Sequence, residues 1–233
     1  MSDGFGRIAL ATRLAGPCPA PFLTSFVMLA VQGMRPGDAL LEPVSRAPAH
    51  KAANLLAEAF MESGADTLCF VDSDHVFTAD TLTRLRDNPT SWPYDACGAL
   101  YRVRGNGAAL LLRETPEGQT APEDGPGLRW LWPDRLDTWP PGAVIEVDAL
   151  GLGFTLIRRR VFEGLTAPWF FYPRWQDDAT EDAPFFKRAQ AAGFRFCVDT
   201  GVCVGHLRDD VQWAMPPEYL EAAKAAREER VRA

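Results

Sequence analysis

Two aspartates, one residue apart, directly follow an uninterrupted apolar run, and this pattern points most clearly to chemistry. The run covers residues 67–71, and the aspartates are Asp72 and Asp74. A strand without polar alternation is typical of a parallel sheet that is covered on both faces. Ligands of open α/β sheets bind at the carboxyl ends of the strands, so these carboxylates could hold a hard divalent cation and, through it, a diphosphate. The alternative is that both only cap the following turn.

A second acidic pair, Glu181 and Asp182, opens a predicted helix that we expect Thr180 to cap. The helix dipole favours carboxylates in a first turn, so capping alone would explain the pair. The functional alternative is a general base that takes a proton from an attacking hydroxyl. The dipole would then keep this carboxylate ionised at neutral pH.

A late histidine and two glycines are further candidates. His206 follows a predicted strand that could lie in the same sheet as the acidic pair, and imidazole with carboxylates suits a divalent metal such as Mn²⁺. His50 and His75 are weaker candidates. Gly151 and Gly153 precede an apolar strand, where they would let the backbone approach a bound sugar or acceptor; a β-bulge is the alternative.

Strand-like and helical patterns alternate along the chain, which is typical of a layered α/β domain. We predict one domain over residues 1–210, with a Gly-, Pro- and Trp-rich insertion or lid at 105–142, and a charged helical tail at 211–233. Strands are predicted at residues 7–12, 38–44, 67–71, 95–101, 143–148, 154–157 and 194–199. Helices are predicted at about 21–32, around an apolar face of Ala52, Leu55, Leu56, Ala59 and Phe60, after a capping Thr78, and at 181–192.

Composition narrows the classes of protein that fit. The 233 residues are 47% hydrophobic and carry a net charge of −7, which argues against non-specific wrapping of nucleic acid or of an anionic membrane. The most apolar stretch, residues 22–31, is too short to span a bilayer, and the N-terminus lacks the pattern of a secretory signal. We therefore expect a cytoplasmic protein without membrane insertion. Its five cysteines form no Cys-x-x-Cys pair and are predicted to be core residues.

Four motifs in this order resemble the glycosyltransferases of the GT-A fold, in particular compact family 2-like enzymes of bacteria and phages. The resemblance implies a Rossmann-like α/β three-layer sandwich with a mainly parallel central sheet. The motifs are residues 68–74, residues 147–154, residues 181–186 with Arg188 and Gly193, and residues 205–206.

The resemblance also implies a reaction. It is the non-processive transfer of a hexose-like sugar from a nucleoside-diphosphate sugar to an acceptor hydroxyl, with Mn²⁺ or Mg²⁺ as cofactor. Asp74, helped by Asp72 and His206, would bind the metal. Asp182 would be the base of an inverting enzyme, with Glu181 beside it, or would orient a substrate if the configuration is retained.

Other residues are assigned to the substrates by the same resemblance. The acceptor stays open between a small molecule, a glycan, a protein and a modified DNA base, and the C-terminal helix could join copies of the chain. Donor contacts fall on Thr12, Arg13, Arg46, Ser73 and Asp74, and contacts to the sugar or acceptor fall on Gly151, Leu152 and Gly153.

Two other functions compete with this interpretation. A nucleotidyltransferase acting on a sugar phosphate would also hold a metal and a phosphate chain with acidic residues. It should begin with a Gly-rich phosphate loop followed by Arg and Lys, which residues 14–19 do not supply. A non-catalytic module that binds a nucleotide sugar is the second alternative.

Overall fold

The computed structural model describes residues 4–102, 112–114, 128–130, 140–172, 180–208, 211–213 and 217–232. Its strands are β1 (Ile8–Leu14), β2 (Ala39–Leu40), β3 (Val44–Ser45), β4 (Thr67–Asp72), β5 (His75–Val76), β6 (Ala96–Leu100), β7 (Leu112–Glu114), β8 (Leu128–Trp130), β9 (Val144–Val147), β10 (Phe154–Arg158), β11 (Phe196–Cys203), β12 (Gly205–Arg208) and β13 (Val211–Trp213). Its α-helices are α1 (Ala20–Gln32), α2 (Ala49–Ser63), α3 (Thr81–Arg86), α4 (Arg159–Glu163), α5 (Asp182–Ala191) and α6 (Pro217–Arg232).

One large sheet forms the centre of the described residues. Its strand order is β2-β1-β4-β10-β6-β11-β9, and β3 pairs with a later part of β1. Six strands run in one direction, whereas β9 and β10 run against them. The predicted α/β fold with a mainly parallel central sheet is therefore confirmed.

Strand β4 shows why the sheet lies between two layers of helices. Leu68 and Phe70 pack in one buried cluster with residues of α2, α4 and α5, while Cys69 and Val71 pack in a second cluster with residues of α1 and α3. Both faces of the strand are thus covered, as its uninterrupted apolar run predicts. The result is a three-layer sandwich.

Helix α2 has a buried face that differs slightly from the predicted one. The helix follows Pro48 and ends at Gly64, whose φ of 70° suits glycine at a helix end. Leu55 was expected on the apolar face, but it is 49% exposed. Ala53 and Ala57 are buried instead. The buried residues of α2 recur at intervals of three and four, so they lie on one side of the helix; they are Ala52, Ala53, Leu56, Ala57 and Phe60.

Local details at three element ends depart from the sequence predictions. The strand predicted at 38–44 is two short strands, β2 and β3, and Pro43 between them has no N–H to continue a ladder. Thr78 does not cap α3, because its hydroxyl bonds to Asp80 and Thr81 side chains. Thr180 does not cap α5, because it bonds the Asp182 carboxylate instead of a backbone N–H.

A second, three-stranded sheet carries the late histidine. Strand β12 lies between β13 and β5, and it runs antiparallel to β5 so that His206 pairs with His75. The backbone N–H of Leu207 also donates to the Asp74 carbonyl, at 2.7 Å. Strand β11, which precedes His206, belongs to the main sheet as expected, but His206 itself lies in β12 of the second sheet. Because β5 follows β4 directly, the histidine nevertheless reaches the end of β4.

The remaining segments complete the fold around the main sheet. Helix α6 packs against β11 with Ala223 buried. Cys69, Cys97 and Cys197 lie in the core as predicted, whereas Cys203 is only partly buried and Cys18 is exposed. Within the predicted insertion at 105–142, β7 and β8 pair antiparallel, and its other residues up to 139 lie outside the described ranges. None of the described helices combines the length and apolarity that a membrane crossing requires.

Candidate active site

The two aspartates leave the end of β4 in different surroundings. Asp72 is the last residue of the strand, and its N–H donates to the Gly153 carbonyl at 3.0 Å. Ser73 and Asp74 then form the turn into β5. The Asp72 carboxylate contacts Arg13, whereas the Asp74 carboxylate contacts two histidines. The acidic pair therefore joins two separate networks.

Arg13 links the end of β4 to the start of α5. It lies opposite Asp72 in the parallel register of β1 and β4. Its Nη2 donates to both Asp72 oxygens, at 2.7 and 2.9 Å, and its Nη1 donates to Glu181. Burial by itself lowers the pKa of Arg13, but the charges of Asp72 and Glu181 outweigh it and raise the pKa. A permanent cation thus holds the two acidic motifs together.

Asp74 accepts hydrogen bonds from two stacked imidazoles. His75 Nδ1 lies 3.0 Å from Oδ1 and His206 Nε2 lies 3.3 Å from Oδ2, and the ring centroids are 4.4 Å apart. Burial by itself raises the pKa of Asp74, but the hydrogen bonds from His206 and His75 outweigh it and lower the pKa well below its usual range. Asp74 is therefore an anion at neutral pH. Burial lowers the pKa of His75, which favours its neutral form.

The side chains of Asp74, His75 and His206 offer metal-binding atoms within 4.8 Å of one another. His206 Nδ1 lies 3.0 Å from the Arg102 carbonyl, which can only accept, so Nδ1 carries a hydrogen. His206 Nε2 is directed at Asp74 Oδ2, so a divalent ion bound there would replace the hydrogen that Nε2 shares with the carboxylate. A histidine fixed through its other nitrogen is the usual form of a histidine metal ligand. These residues therefore fit a divalent ion.

Gly153 closes the space behind His75. Its N–H lies 3.3 Å from the Tyr101 hydroxyl, and a Cβ at this position would lie 2.6 Å from His75 Nε2 and 2.8 Å from Tyr101 Cζ. The close approach expected of this glycine is thus made to two aromatic rings of the same chain. Gly151 and Leu152 are buried beside it. A contact of these three residues to a sugar or acceptor stays a prediction.

Asp182 is a carboxylate with a raised pKa. Burial and the neighbouring Glu181 raise its pKa to about 6, while bonds from Thr180 and from the Ala183 N–H, 2.9 Å away, and the charge of Arg13 act in the opposite direction. Asp182 is still mostly ionised at pH 7. Its position in the first turn supports that state, but burial, rather than the dipole, dominates the shift.

Tyr101 lies among the carboxylates of both acidic motifs. Burial, followed by the charges of Asp182, Asp72 and Asp74, raises the pKa of its phenol. The charges of Asp182, the candidate base, and of Asp74, the candidate metal ligand, thus both raise the pKa of the Tyr101 phenol. The sequence analysis missed Tyr101, although it follows β6, which is parallel to β4 and ends at the same sheet edge.

A cavity of about 290 Å³ opens beside these networks. Arg13 and Ser73 line it together with Asp72, Asp74 and Glu181, but Thr12, Arg46, Asp182 and His206 are not among its lining residues. Thr12 packs into the core at 2% exposure, and its hydroxyl has no hydrogen-bond partner among the described residues. Further lining residues are Leu14, Ala15, Val44, Ala47, Ala49, Ala52, Tyr172 and Thr180. Tyr172 is a second residue that the sequence analysis missed.

A larger cavity, of about 630 Å³, lies between α3 and β11. Its lining residues include Asp80, Arg84 and Asp199. It contains none of the residues to which the sequence analysis assigned a function. We therefore place the candidate site in the smaller cavity, where the acidic motifs converge.

Comparison with solved structures shows the fold of this chain. The protein A197 from STIV superposes with a TM-score of 0.59 at 19% identity, over 91% of each chain. A crystal structure of GalNAc-T7 with UDP, GalNAc and Mn²⁺ gives 0.56 at 11% identity, over 93% of this chain and 46% of that one. UDP-glucose pyrophosphorylase complexed with UDP-glucose gives 0.51 at 12% identity, over 96% of this chain and all of the other.

At these identities the similarity establishes architecture alone. This chain has a GT-A-like α/β fold, as the motifs predict. Neither a protein-family model nor a curated protein matches the sequence. Membership of family 2 thus stays a prediction, and function must be argued from the site.

Proposed function

We propose that this protein is a metal-dependent glycosyltransferase that moves a sugar from a nucleoside-diphosphate sugar to an acceptor hydroxyl, without processive synthesis. One observation carries the proposal. A single cavity is lined by the Asp72–Asp74 turn and by Glu181, which the Arg13 guanidinium connects through ion pairs to both carboxylates. A diphosphate-binding turn and a base-bearing helix would both be needed for transfer.

The donor would bind with its diphosphate at Asp74 and His206. A divalent ion held there would offset the negative charge that develops on the leaving diphosphate. The nucleoside would extend along the cavity past Ser73 towards Arg13 and Tyr172. Asp72, the other member of the predicted acidic pair, would support the site through its ion pair with Arg13. Thr12 and Arg46 remain donor contacts by resemblance only.

Asp182 would take the proton from the acceptor hydroxyl. It stands at the first position of α5 and is mostly ionised at neutral pH with a pKa of about 6. A carboxylate whose pKa lies slightly below the working pH is mostly ionised and can accept a proton. General-base catalysis of this kind contributes about 10²–10⁴-fold in rate. Glu181 is paired with Arg13, which leaves Asp182 the better candidate.

The structural neighbours support a nucleotide-sugar substrate for both this reaction and its main competitor. The GalNAc-T7 structure contains UDP and Mn²⁺, and the pyrophosphorylase structure contains UDP-glucose. We favour transfer over nucleotidyl exchange, because β1 is followed by Ala15, Gly16 and Pro17 and not by a Gly-rich phosphate loop with Arg and Lys.

The reaction can be tested without knowing the acceptor. The protein is incubated with Mn²⁺ and a panel of nucleotide sugars, and release of nucleoside diphosphate is measured. We expect slow hydrolysis of one donor, which is lost in Asp74→Ala. Pyrophosphate release from a nucleoside triphosphate and a sugar phosphate would show a nucleotidyltransferase instead. Absence of any turnover, with nucleotide-sugar binding retained, would show a binding module.

A second variant separates the base from the donor site. In Asp182→Asn we expect calorimetric affinity for the nucleotide sugar and Mn²⁺ to stay at the wild-type value, while transfer to an acceptor found by screening stops. The amide keeps the shape of the carboxylate but cannot take a proton. Retained transfer in this variant would remove Asp182 from the role of base.

A further inference from the structure

We propose that His75 is a positioning residue, which holds the Asp74 carboxylate by donating its Nδ1–H and is not itself a metal ligand. The metal site would then have two protein ligands, Asp74 and His206. This inference rests on the proposed function only in so far as that function includes a divalent ion at Asp74.

His75 directs its Nδ1 at the Asp74 carboxylate. This atom lies 3.0 Å from Asp74 Oδ1, and a carboxylate oxygen accepts the hydrogen bond in such a contact. Nδ1 therefore carries the hydrogen. In a neutral imidazole the one remaining lone pair is then at Nε2, so a metal could be bound only through that atom.

Nε2 of His75 cannot be reached by a metal ion. The atom is fully buried and has no hydrogen-bond partner among the described residues. The backbone of Gly153 lies against it, since even a Cβ added there would be 2.6 Å away. The Tyr101 ring packs edge-on against the imidazole at 4.6 Å. A metal ion needs a bond of about 2.0–2.2 Å to a ligand nitrogen or oxygen plus room for its other ligands, and this space is filled.

His206 has the opposite orientation. Its Nδ1 is fixed by the Arg102 carbonyl, and its Nε2 points to Asp74 Oδ2 at 3.3 Å. The side chain is 12% exposed, whereas that of His75 is 2% exposed. Although the two rings are stacked, only the His206 ring directs its Nε2 at the carboxylate that lines the cavity.

Two amide variants of His75 distinguish a donor from a ligand. The side-chain amide of asparagine reaches about as far as Nδ1, and that of glutamine reaches about as far as Nε2. His75→Asn can therefore replace the hydrogen bond to Asp74, whereas His75→Gln cannot. Removing such a supporting partner costs about 10- to 100-fold in metal affinity. We expect a weakening of that size for Mn²⁺ in His75→Gln and in His75→Ala, and rescue close to the wild-type affinity in His75→Asn.

The measurement combines calorimetry of Mn²⁺ alone with pulsed electron paramagnetic resonance, which counts the imidazole nitrogens bound to Mn²⁺. We expect one bound imidazole in the wild type, one in His75→Asn and none in His206→Ala. Two bound imidazoles in the wild type, or equal weakening by Asn and Gln, would overturn the inference. So would the absence of Mn²⁺ binding to the wild type. Thermal unfolding of each variant identifies any that fails to fold, and a count of two imidazoles in the wild type would overturn the inference whichever variants fold.

The same data separate this inference from the proposed function. A protein that binds Mn²⁺ with one imidazole but turns over no nucleotide sugar would contradict the transferase and support the role of His75. A protein that transfers sugar while Mn²⁺ carries two imidazoles would do the reverse.

Discussion

At the scale of single residues, Arg13 shows how one side chain can link two acidic motifs. The resemblance assigned it to the donor, yet both arms of its guanidinium are engaged by carboxylates of the protein itself. Asp72 and Glu181 lie beside each other in a buried region, where an unpaired charge would be costly. The positive charge of Arg13 stabilises these two neighbouring carboxylates. Arg13 can therefore contact a donor in the cavity only with the part of its side chain that the ion pairs leave exposed.

Replacing Arg13 should therefore destabilise the protein. Arg13→Met keeps an unbranched apolar stem but leaves two partly buried carboxylates without their partner, and breaking a buried pair in this way costs about 3–5 kcal/mol. Urea unfolding measures the change. The control is Arg195→Met, which breaks an exposed pair with Glu146 and should leave stability unchanged. Equal effects of the two variants would contradict the role of Arg13.

The raised pKa of Asp182 predicts how the rate depends on pH. A general base acts only when ionised, so kcat/KM should fall about tenfold for each pH unit below about 6 and level off above it. The hydroxyl of Thr180 bonds the Asp182 carboxylate and lowers its pKa. Thr180→Val removes that bond with little change of shape, so the acid limb should move to higher pH. A limb that stays in place in this variant would show that another group controls the rate.

At the scale of secondary-structure elements, the apolar runs of β4 and β10 allowed both strands to be predicted from the sequence. They did not indicate the direction in which each strand runs. A run buried on both faces looks the same in a parallel and an antiparallel strand. Strand β10 lies between β4 and β6 and opposes both. This reversal brings Gly153, at the start of β10, to the carboxyl end of β4. The pairing of β12 with β5 was also hidden, because short strands carry little periodic signal.

Side-chain partners were harder to predict than elements. The aspartate pair was placed correctly at a strand end, because burial and chain position determine that. The choice of Arg13 as partner of Asp72 depends on strand register, which the sequence does not encode locally. His75 was rated a weak candidate because nothing in the sequence shows that a glycine backbone and Tyr101 enclose its ring.

Gly153→Ala tests the junction between β10 and β5. Gly153 does not have a positive φ, so alanine is allowed by the backbone, but its Cβ would overlap His75 and Tyr101. We expect a loss of about 1–3 kcal/mol from overpacking, together with weaker Mn²⁺ binding as His75 moves. Chemical unfolding and calorimetry measure the two effects. Gly16→Ala, where a Cβ would meet nothing within 4 Å, is the matched control. Wild-type stability and wild-type Mn²⁺ affinity in Gly153→Ala would contradict close packing of Gly153 against His75 and Tyr101.

At the scale of the whole molecule, the candidate site depends on the complete sandwich. Arg13 comes from β1, Asp74 follows β4, Asp182 opens α5 and His206 lies in β12. No local segment contains more than part of the set, so the metal-binding atoms come together only in the folded chain. A divalent ion should then bind the folded state far better than the unfolded state, and its binding free energy should add to the stability of the fold.

Mn²⁺ should accordingly raise the melting temperature. At a free concentration one hundred times the Kd, selective binding to the folded state contributes about 2.7 kcal/mol. For a chain of this size that corresponds to roughly 5–10 °C, measured by scanning calorimetry and reversed by a chelator. Asp74→Asn should abolish the shift. Asp66→Asn, at an exposed aspartate that binds Arg7 instead, should keep it. If both variants keep the shift, Mn²⁺ binds elsewhere, and the convergence of Asp74 with His206 reflects packing of the two sheets without a metal.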